Sequence, residues 1–365
     1  MTQVQHALEE KRRSSRFPIW RILALTASGF LTIMLETMPA GILPQISRGL
    51  AVSESVAGQF VSVYALGSIV GAIPIISATL RLPRRHLLVA ALVGYVLTSL
   101  LVAVAPTFAV AIGARFVAGM FAGVLWGIIA GIAGRIVSEE HRGRALTIAL
   151  AGTPIALAVG TPAGTLLTGL IGWRFTFAAM ALFAVVLIVW VLAVLPVLPG
   201  QEKMEQTPLQ RVFRLRGLVP ILVTAVLYIT AHNLLYTYIA SFLAPLGMGD
   251  AVSTVLLVFG VGSLVSIVIT GTLIDRHLRS LMISSTTLFG AAMIGLGLFA
   301  GSPLAVFVAS AAWGLAFGGA ASLLQTAMMQ VAGTAVDAAQ SVMVTGWNVG
   351  IAAGGILGGI PRTSR

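Results

Sequence analysis

The chain contains no cysteine among its 365 residues. That excludes disulfides, iron–sulfur clusters and thiolate metal sites. It is also short of charge: 9% of residues are Asp, Glu, Lys or Arg, against about one-quarter in soluble domains. So few charges cannot cover a surface in water. Acids are the scarcest, 11 in all. Apolar residues fill the gap, at 58% of the chain with a mean hydropathy of +1.01. Apolar runs of about 20 residues recur along it, the length of a membrane-spanning helix. The chain therefore reads as an all-α polytopic membrane protein, and its 40 glycines suit close helix packing in lipid.

A net charge of +11 invites a nucleic-acid reading. Its distribution argues against one, because the basic residues sit in short loops and alternate by side. The spans expected are 19–43, 54–79, 86–105, 108–133, 145–170, 175–195, 218–244, 252–273, 281–300, 303–331 and 338–360, eleven in number. The first is too long for a signal-peptide core of about 7–15 residues, so the N-terminus is expected to be retained. One side carries Arg12, Arg13, Arg81, Arg84, Arg85, Arg135, Arg142, Arg144, Arg211, Arg214, Arg276 and Arg279. The positive-inside rule makes that side cytoplasmic, with the N-terminus inside and the C-terminus outside. Residues 1–17 form a tail, 18–195 a six-helix bundle, 196–217 a cytoplasmic linker, 218–360 a second bundle and 361–365 a short tail.

The two bundles repeat each other. Gly67 aligns with Gly262, Arg81 with Arg276, Arg84 with Arg279, Gly119 with Gly314 and Gly160 with Gly355, all at an offset of 195 residues. Six helices per unit make the copies parallel in the membrane, the plan of one transporter class with its site between the halves. The sixth span has no counterpart in the second unit, so eleven helices are expected where twelve would complete the repeat.

Several motifs resemble the major facilitator superfamily, and within it the drug:proton antiporter group with sugar-efflux and arabinose-efflux-type permeases. The loop after helix 8 carries Gly271, Asp275, Arg276 and Arg279 of the superfamily's G-x-x-x-D-R-x-G-R pattern. The equivalent loop after helix 2 keeps Arg81, Arg84 and Arg85 but has Leu80 where the acid belongs. The resemblance makes these charges latches of a cytoplasmic gate. ARFVAGMFAG in helix 4 is similar to the family's R-x-x-x-G motif, with Arg115 as its arginine. Gly152, Gly160, Pro162 and Gly164 in helix 5 resemble the antiporter motif. LETMPAGILPQI in helix 1 and AHNLLYTYIASFL in helix 7 resemble sugar-efflux permeases. The resemblance implies a major facilitator fold and proton-coupled efflux of a small sugar, drug or purine-like molecule. Uptake by symport and an inactive remnant are the alternatives.

Away from their ends the spans offer one acid and one histidine, too few for a metal site or a hydrolytic triad. No enzyme activity and no cofactor are expected; a proton gradient would supply the energy. The expected partners are lipid, protons and the transported molecule, the protein a monomer in a bacterial inner membrane. Tyr228, His232 and Tyr236 fall on one face of helix 7. With Asn233, Trp126, Gln325 and Asn348 they form the expected substrate cavity. Glu36 is the lone acid inside a span, the others falling in loops or at helix ends, and an ionisable group there signals function. Arg115 is its expected partner, because both lie seven residues from the outer end of their helices. Arg115 also shares a face with Gly119, Ala122 and Trp126, which predicts that it looks into the cavity. Burial favours a neutral carboxylic acid and an adjacent guanidinium favours the anion, so separating the pair would exchange a proton for an ion pair.

Overall fold

The computed structural model describes residues 17–200 and 209–358. The expected N-terminal tail through residue 16, linker residues 201–208 and the chain beyond 358 lie outside them. Helices joined by short loops make up the described residues, with no strand among them. Helix 1 is Ile19–Thr37, continued by a 3₁₀ segment over Met38–Ile42 and an α segment over Leu43–Leu50. Helices 2, 3 and 4 are Gln59–Ala78, Arg84–Val104 and Phe108–Arg135. Helix 5 comes in pieces: Arg142–Leu150, Gly152–Ile155, a π turn over Ala156–Gly160, and Thr161–Ile171. Pro162 lacks an N–H and cannot continue the α ladder through that turn. Gly172, at φ 82°, turns the chain into helix 6, Trp173–Val194. Helix 7 is Leu218–Leu243, helix 10 Pro303–Phe317 with Ala320–Ala332, and helix 11 Val336–Gly358.

Helices 8 and 9 differ from expectation. No loop separates them: the run Val252–Leu298 is helical save for His277, at φ −129° and ψ 29°. The chain nevertheless reverses there. Phe259 and Ser263 of helix 8 meet Gly314 and Gly318 of helix 10 in the same order, whereas Ser285 and Gly295 of helix 9 meet Ala316 and Ala309 in the opposite order. The polar stretch that suggested a loop forms the helix ends instead. Helix 1 also runs on past its expected end at Leu43 to Leu50, because Pro39 falls at the start of the 3₁₀ segment and Pro44 in the first turn of the α segment after it, where a missing N–H is tolerated. Glu36 consequently sits at a junction inside the helix, deeper than seven residues from its end.

The repeat appears as two matching helix crossings. A Cβ on Gly119 would strike the Tyr64 carbonyl, and one on Gly123 the Ser68 carbonyl; Gly314 faces Phe259 and Gly318 faces Ser263 in the same way. Each pair is displaced by the repeat offset. Helices 2 and 4 cross through glycine in the first half as helices 8 and 10 do in the second, because no side chain fits between backbones this close.

The halves meet at the arginine-rich end. Helix 11 packs along helices 2 and 4, and helix 5 against helices 8 and 10, while helices 1 and 7 make no comparable contact.

Candidate transport site

In the first half the polar centre lies where helices 1, 2, 3 and 4 converge. Arg115 is 1% exposed. Its Nη1 donates to the Leu35 carbonyl at 2.6 Å and its Nε to the Phe60 carbonyl at 3.0 Å. Its Cζ lies 4.4 Å from the centre of the Tyr64 ring, a cation–π contact. The Tyr64 hydroxyl donates to the Thr32 carbonyl, and the Tyr95 hydroxyl to Thr32 Oγ1 at 3.0 Å. Glu36, one residue beyond the anchored carbonyl, is half-buried. Its carboxylate makes no ion pair among the described residues.

Arg115 therefore does not look into a cavity beside Trp126. It is sealed between backbones, and Trp126, half-buried, lies over Gly29 of helix 1. Nor is the expected Glu36–Arg115 pair a direct contact here: the arginine holds the main chain next to the acid.

The repeat partners in the second half carry no charge. Phe259 stands for Tyr64, Ser310 for Arg115 and Ala231 for Glu36. An aromatic cluster fills the place of the polar one. His232 accepts a hydrogen bond at Nδ1 from Trp313 Nε1 at 3.1 Å and stacks on Phe317 with ring centres 3.5 Å apart. Tyr228 bonds Ser285 and stacks on Phe289. Both side chains thus point into the second bundle, against helices 9 and 10, rather than lining the space between the halves as expected. The neighbouring aromatic rings outcompete a wet surface for them. Tyr236, at the edge of the cluster, is 39% exposed. Asn233 Nδ2 donates back to the Ile229 carbonyl of its own helix, beside Gly354 of helix 11. Gln325 and Asn348 are half-buried, the former receiving Gln340 Nε2 on its backbone carbonyl at 3.2 Å.

At the arginine-rich end the latch residues are divided. Arg84, 1% exposed, pairs with Asp337 of helix 11 at 2.6 Å across the two halves. The acid missing at position 80 is thus replaced from the other half. Asp275 accepts from the Gly143 and Arg144 amides, the first at 2.6 Å, a carboxylate on the first turn of helix 5 where the helix dipole favours it. Gly271 lies beside Thr147 of helix 5. Arg85 and Arg135 donate to the Leu195 and Pro199 carbonyls, tying down the start of the linker. Arg81, Arg276 and Arg279 are exposed. In helix 5, Gly152 meets the backbone of helix 1 at Thr26 and Phe30, and Gly160 and Gly164 meet Met34 and Met38.

Comparison with known proteins accounts for this arrangement. The family model of the Major Facilitator Superfamily matches residues 25–360. The chain belongs to that superfamily. This superfamily member is 31% identical over 351 residues to a chloramphenicol efflux pump of Mycobacterium tuberculosis, covering 93% of this chain and 85% of the pump. It is 27% identical over 346 residues to a probable sugar efflux transporter of Mannheimia succiniciproducens, covering 94% and 87%. Among solved structures, the proton:xylose symporter XylE, bound to 6-bromo-6-deoxy-D-glucose, superposes with a TM-score of 0.77 at 14% identity over 93% of this chain and 87% of that one. A human organic anion transporter gives 0.70 at 14% identity over 94% and 93%. The superfamily's fold and its character as a membrane transporter follow.

Thr32, Tyr64, Tyr95 and Asp337 are residues of this transporter that sequence reasoning missed. Tyr64 and Tyr95 did leave a signal. Tyrosines favour membrane interfaces, and these two lie within spans, which marks them as partners of another buried polar group.

Proposed function

We propose that this transporter is a proton-coupled exporter of a small organic molecule. Acting as a monomer in a bacterial inner membrane, with its arginine-rich end in the cytoplasm, it works by alternating access. The observation that carries this reading is Glu36: a half-buried carboxylate without an ion-pair partner among the described residues, one residue from the carbonyl that holds the buried Arg115. A small shift of helix 1 or of the guanidinium brings the two together or parts them, and a proton is exchanged for an ion pair. The direction rests on the relatives named as efflux pumps and on the broken, glycine-lined helix 5 against helix 1. The 18–195 and 218–360 bundles are the moving bodies, and the Arg84–Asp337 pair with the Asp275 cap holds the cytoplasmic end shut. The substrate contacts are Tyr236, Asn348, Gln325 and Trp126, with His232 and Tyr228 supporting from behind.

Everted vesicles with an imposed proton gradient test this. Chloramphenicol and a panel of sugars serve as probes. Glu36→Gln is expected to abolish gradient-driven accumulation while leaving probe exchange without a gradient intact, and Arg115→Ala to abolish both. Undiminished gradient-driven accumulation by Glu36→Gln sinks the proposal.

A further inference from the structure

Helix 1 breaks beside its acid, and the cause is Pro39. In an unbroken α-helix the Leu35 carbonyl would accept from the amide four residues on. That residue is proline, which has no N–H, and from Met38 to Ile42 the helix tightens to 3₁₀ geometry. Arg115 Nη1 takes the unclaimed carbonyl at 2.6 Å. The other terminal nitrogen, Nη2, is buried and has no hydrogen-bond partner among the described residues, although a buried unpaired donor costs about 1–3 kcal/mol. The neighbouring residue on helix 1 is Glu36. The guanidinium thus holds a carbonyl that proline left open and keeps one terminal nitrogen in reserve, with Glu36 the next residue along the same turn.

We infer that Pro39 is a positioning residue that converts the ionisation of Glu36 into movement of the outer segment of helix 1, residues 38–50. The inference rests on the proton-coupling reading of Glu36 above. When Glu36 is protonated, Arg115 holds the Leu35 carbonyl and the break stays pinned. When Glu36 gives its proton to water at its exposed side, the empty Nη2 turns to the carboxylate, and Nη1 leaves the carbonyl. The carbonyl has no amide to fall back on, so the segment beyond the break is released. Were an N–H present at position 39, the helix itself would reclaim the carbonyl and the segment would stay in register. The ionisable groups that face Glu36 are Arg115 of helix 4, Tyr64 of helix 2 and Tyr95 of helix 3.

Helix 5 strengthens the inference. Its π turn ends at Gly160, and Thr161, the next residue, bonds Thr37 Oγ1 at 2.8 Å. The break in helix 1 thus lies level with the break in helix 5. Beyond them Gly41 sits on Thr165, so the two outer pieces can swing as one body.

The lack of native cysteine makes the test direct. Ala40→Cys places a thiol on an exposed position of the outer segment. Its rate of alkylation by a membrane-impermeant maleimide is measured in right-side-out vesicles at acidic and alkaline external pH. The same thiol in a Glu36→Gln background corrects for the ionisation of the thiol itself. Labelling of the parent is expected to rise several-fold more with pH than labelling of Glu36→Gln. Pro39→Ala, which restores the amide, is expected to lose that extra rise, and Pro39→Gly supplies the same amide should the alanine variant fail to fold. Pro44→Ala removes another proline of the segment without touching Leu35, and is expected to keep the rise; its loss would show general stiffening and overturn the inference. A full pH response in Pro39→Ala or Pro39→Gly would also overturn it. Failure of the proton-coupling reading itself is seen separately, as an equal response in the parent and in Glu36→Gln.

Discussion

Replacing Asp337 by alanine is expected to cost the folded transporter about 3–5 kcal/mol, the penalty for stranding one charge of a buried pair. Arg84 and Asp337 are 1% and 6% exposed in their side chains, so no water waits to take over from the lost partner. The Arg84 amide and Nη1 are committed to the Leu198 and Thr79 carbonyls, which prevents the side chain from escaping to the surface. Arg84→Ala should be comparably damaging, since it strands the carboxylate. The double variant Arg84→Met with Asp337→Leu is expected to recover most of the melting temperature in detergent, because a well-packed apolar pair avoids desolvation altogether. Transport should not recover with it, for the apolar pair would hold the two halves together without a charge that water can reclaim on opening. Equal melting temperatures for wild type and Asp337→Ala would show that the pair is not formed in the membrane.

Gly152→Leu is expected to abolish transport and to lower the yield of folded protein sharply. A Cβ there would meet the Thr26 carbonyl and would lie 2.7 Å from the Phe30 amide nitrogen, both main-chain atoms of helix 1. Helix 1 cannot yield locally, because the Thr26 hydroxyl already bonds the Ile148 carbonyl at 2.7 Å and fixes the crossing. Forcing side chains into a packed crossing costs about 1–3 kcal/mol or more, and backbone against backbone lies at the upper end. Gly160→Leu and Gly164→Leu should also stop transport but spare more of the folded yield. Their neighbours are the side chains of Phe30, Met34 and Met38, and methionine adapts to a new shape. Detergent-solubilised yield and vesicle transport, measured on all three variants, check the ranking. A Gly152→Leu variant as active as wild type would mean that helices 1 and 5 are apart in the working protein.

The fold was legible because it is written in a repeat. Gly119 and Gly314 occupy the same place in two copies, and the packing need that keeps glycine there is local to one crossing of two helices. Arg115 and Glu36 were legible by rarity. Their relation was not, since sequence shows which charges exist but not which atoms reach them: Pro39 opened a main-chain acceptor that drew the arginine away from the acid. Asp337 looked like an ordinary acid at a helix start. Its importance depends on helix 11 lying against Arg84, a contact between halves that no periodicity within either half encodes. His232 was read as lining a cavity because a polar group in lipid must face inward. Trp313 and Phe317 satisfied that demand inside the second bundle instead.

The Arg84–Asp337 pair has a consequence for how the protein is made. The first bundle's core, from Ile22 to Leu195, is drawn almost wholly from its own residues, so it can assemble while the second is still on the ribosome, as domains generally do. Arg84 must then wait, in an otherwise finished bundle, for a carboxylate that emerges only with helix 11. Until it arrives, the nascent protein carries an unpaired charge at its arginine-rich end.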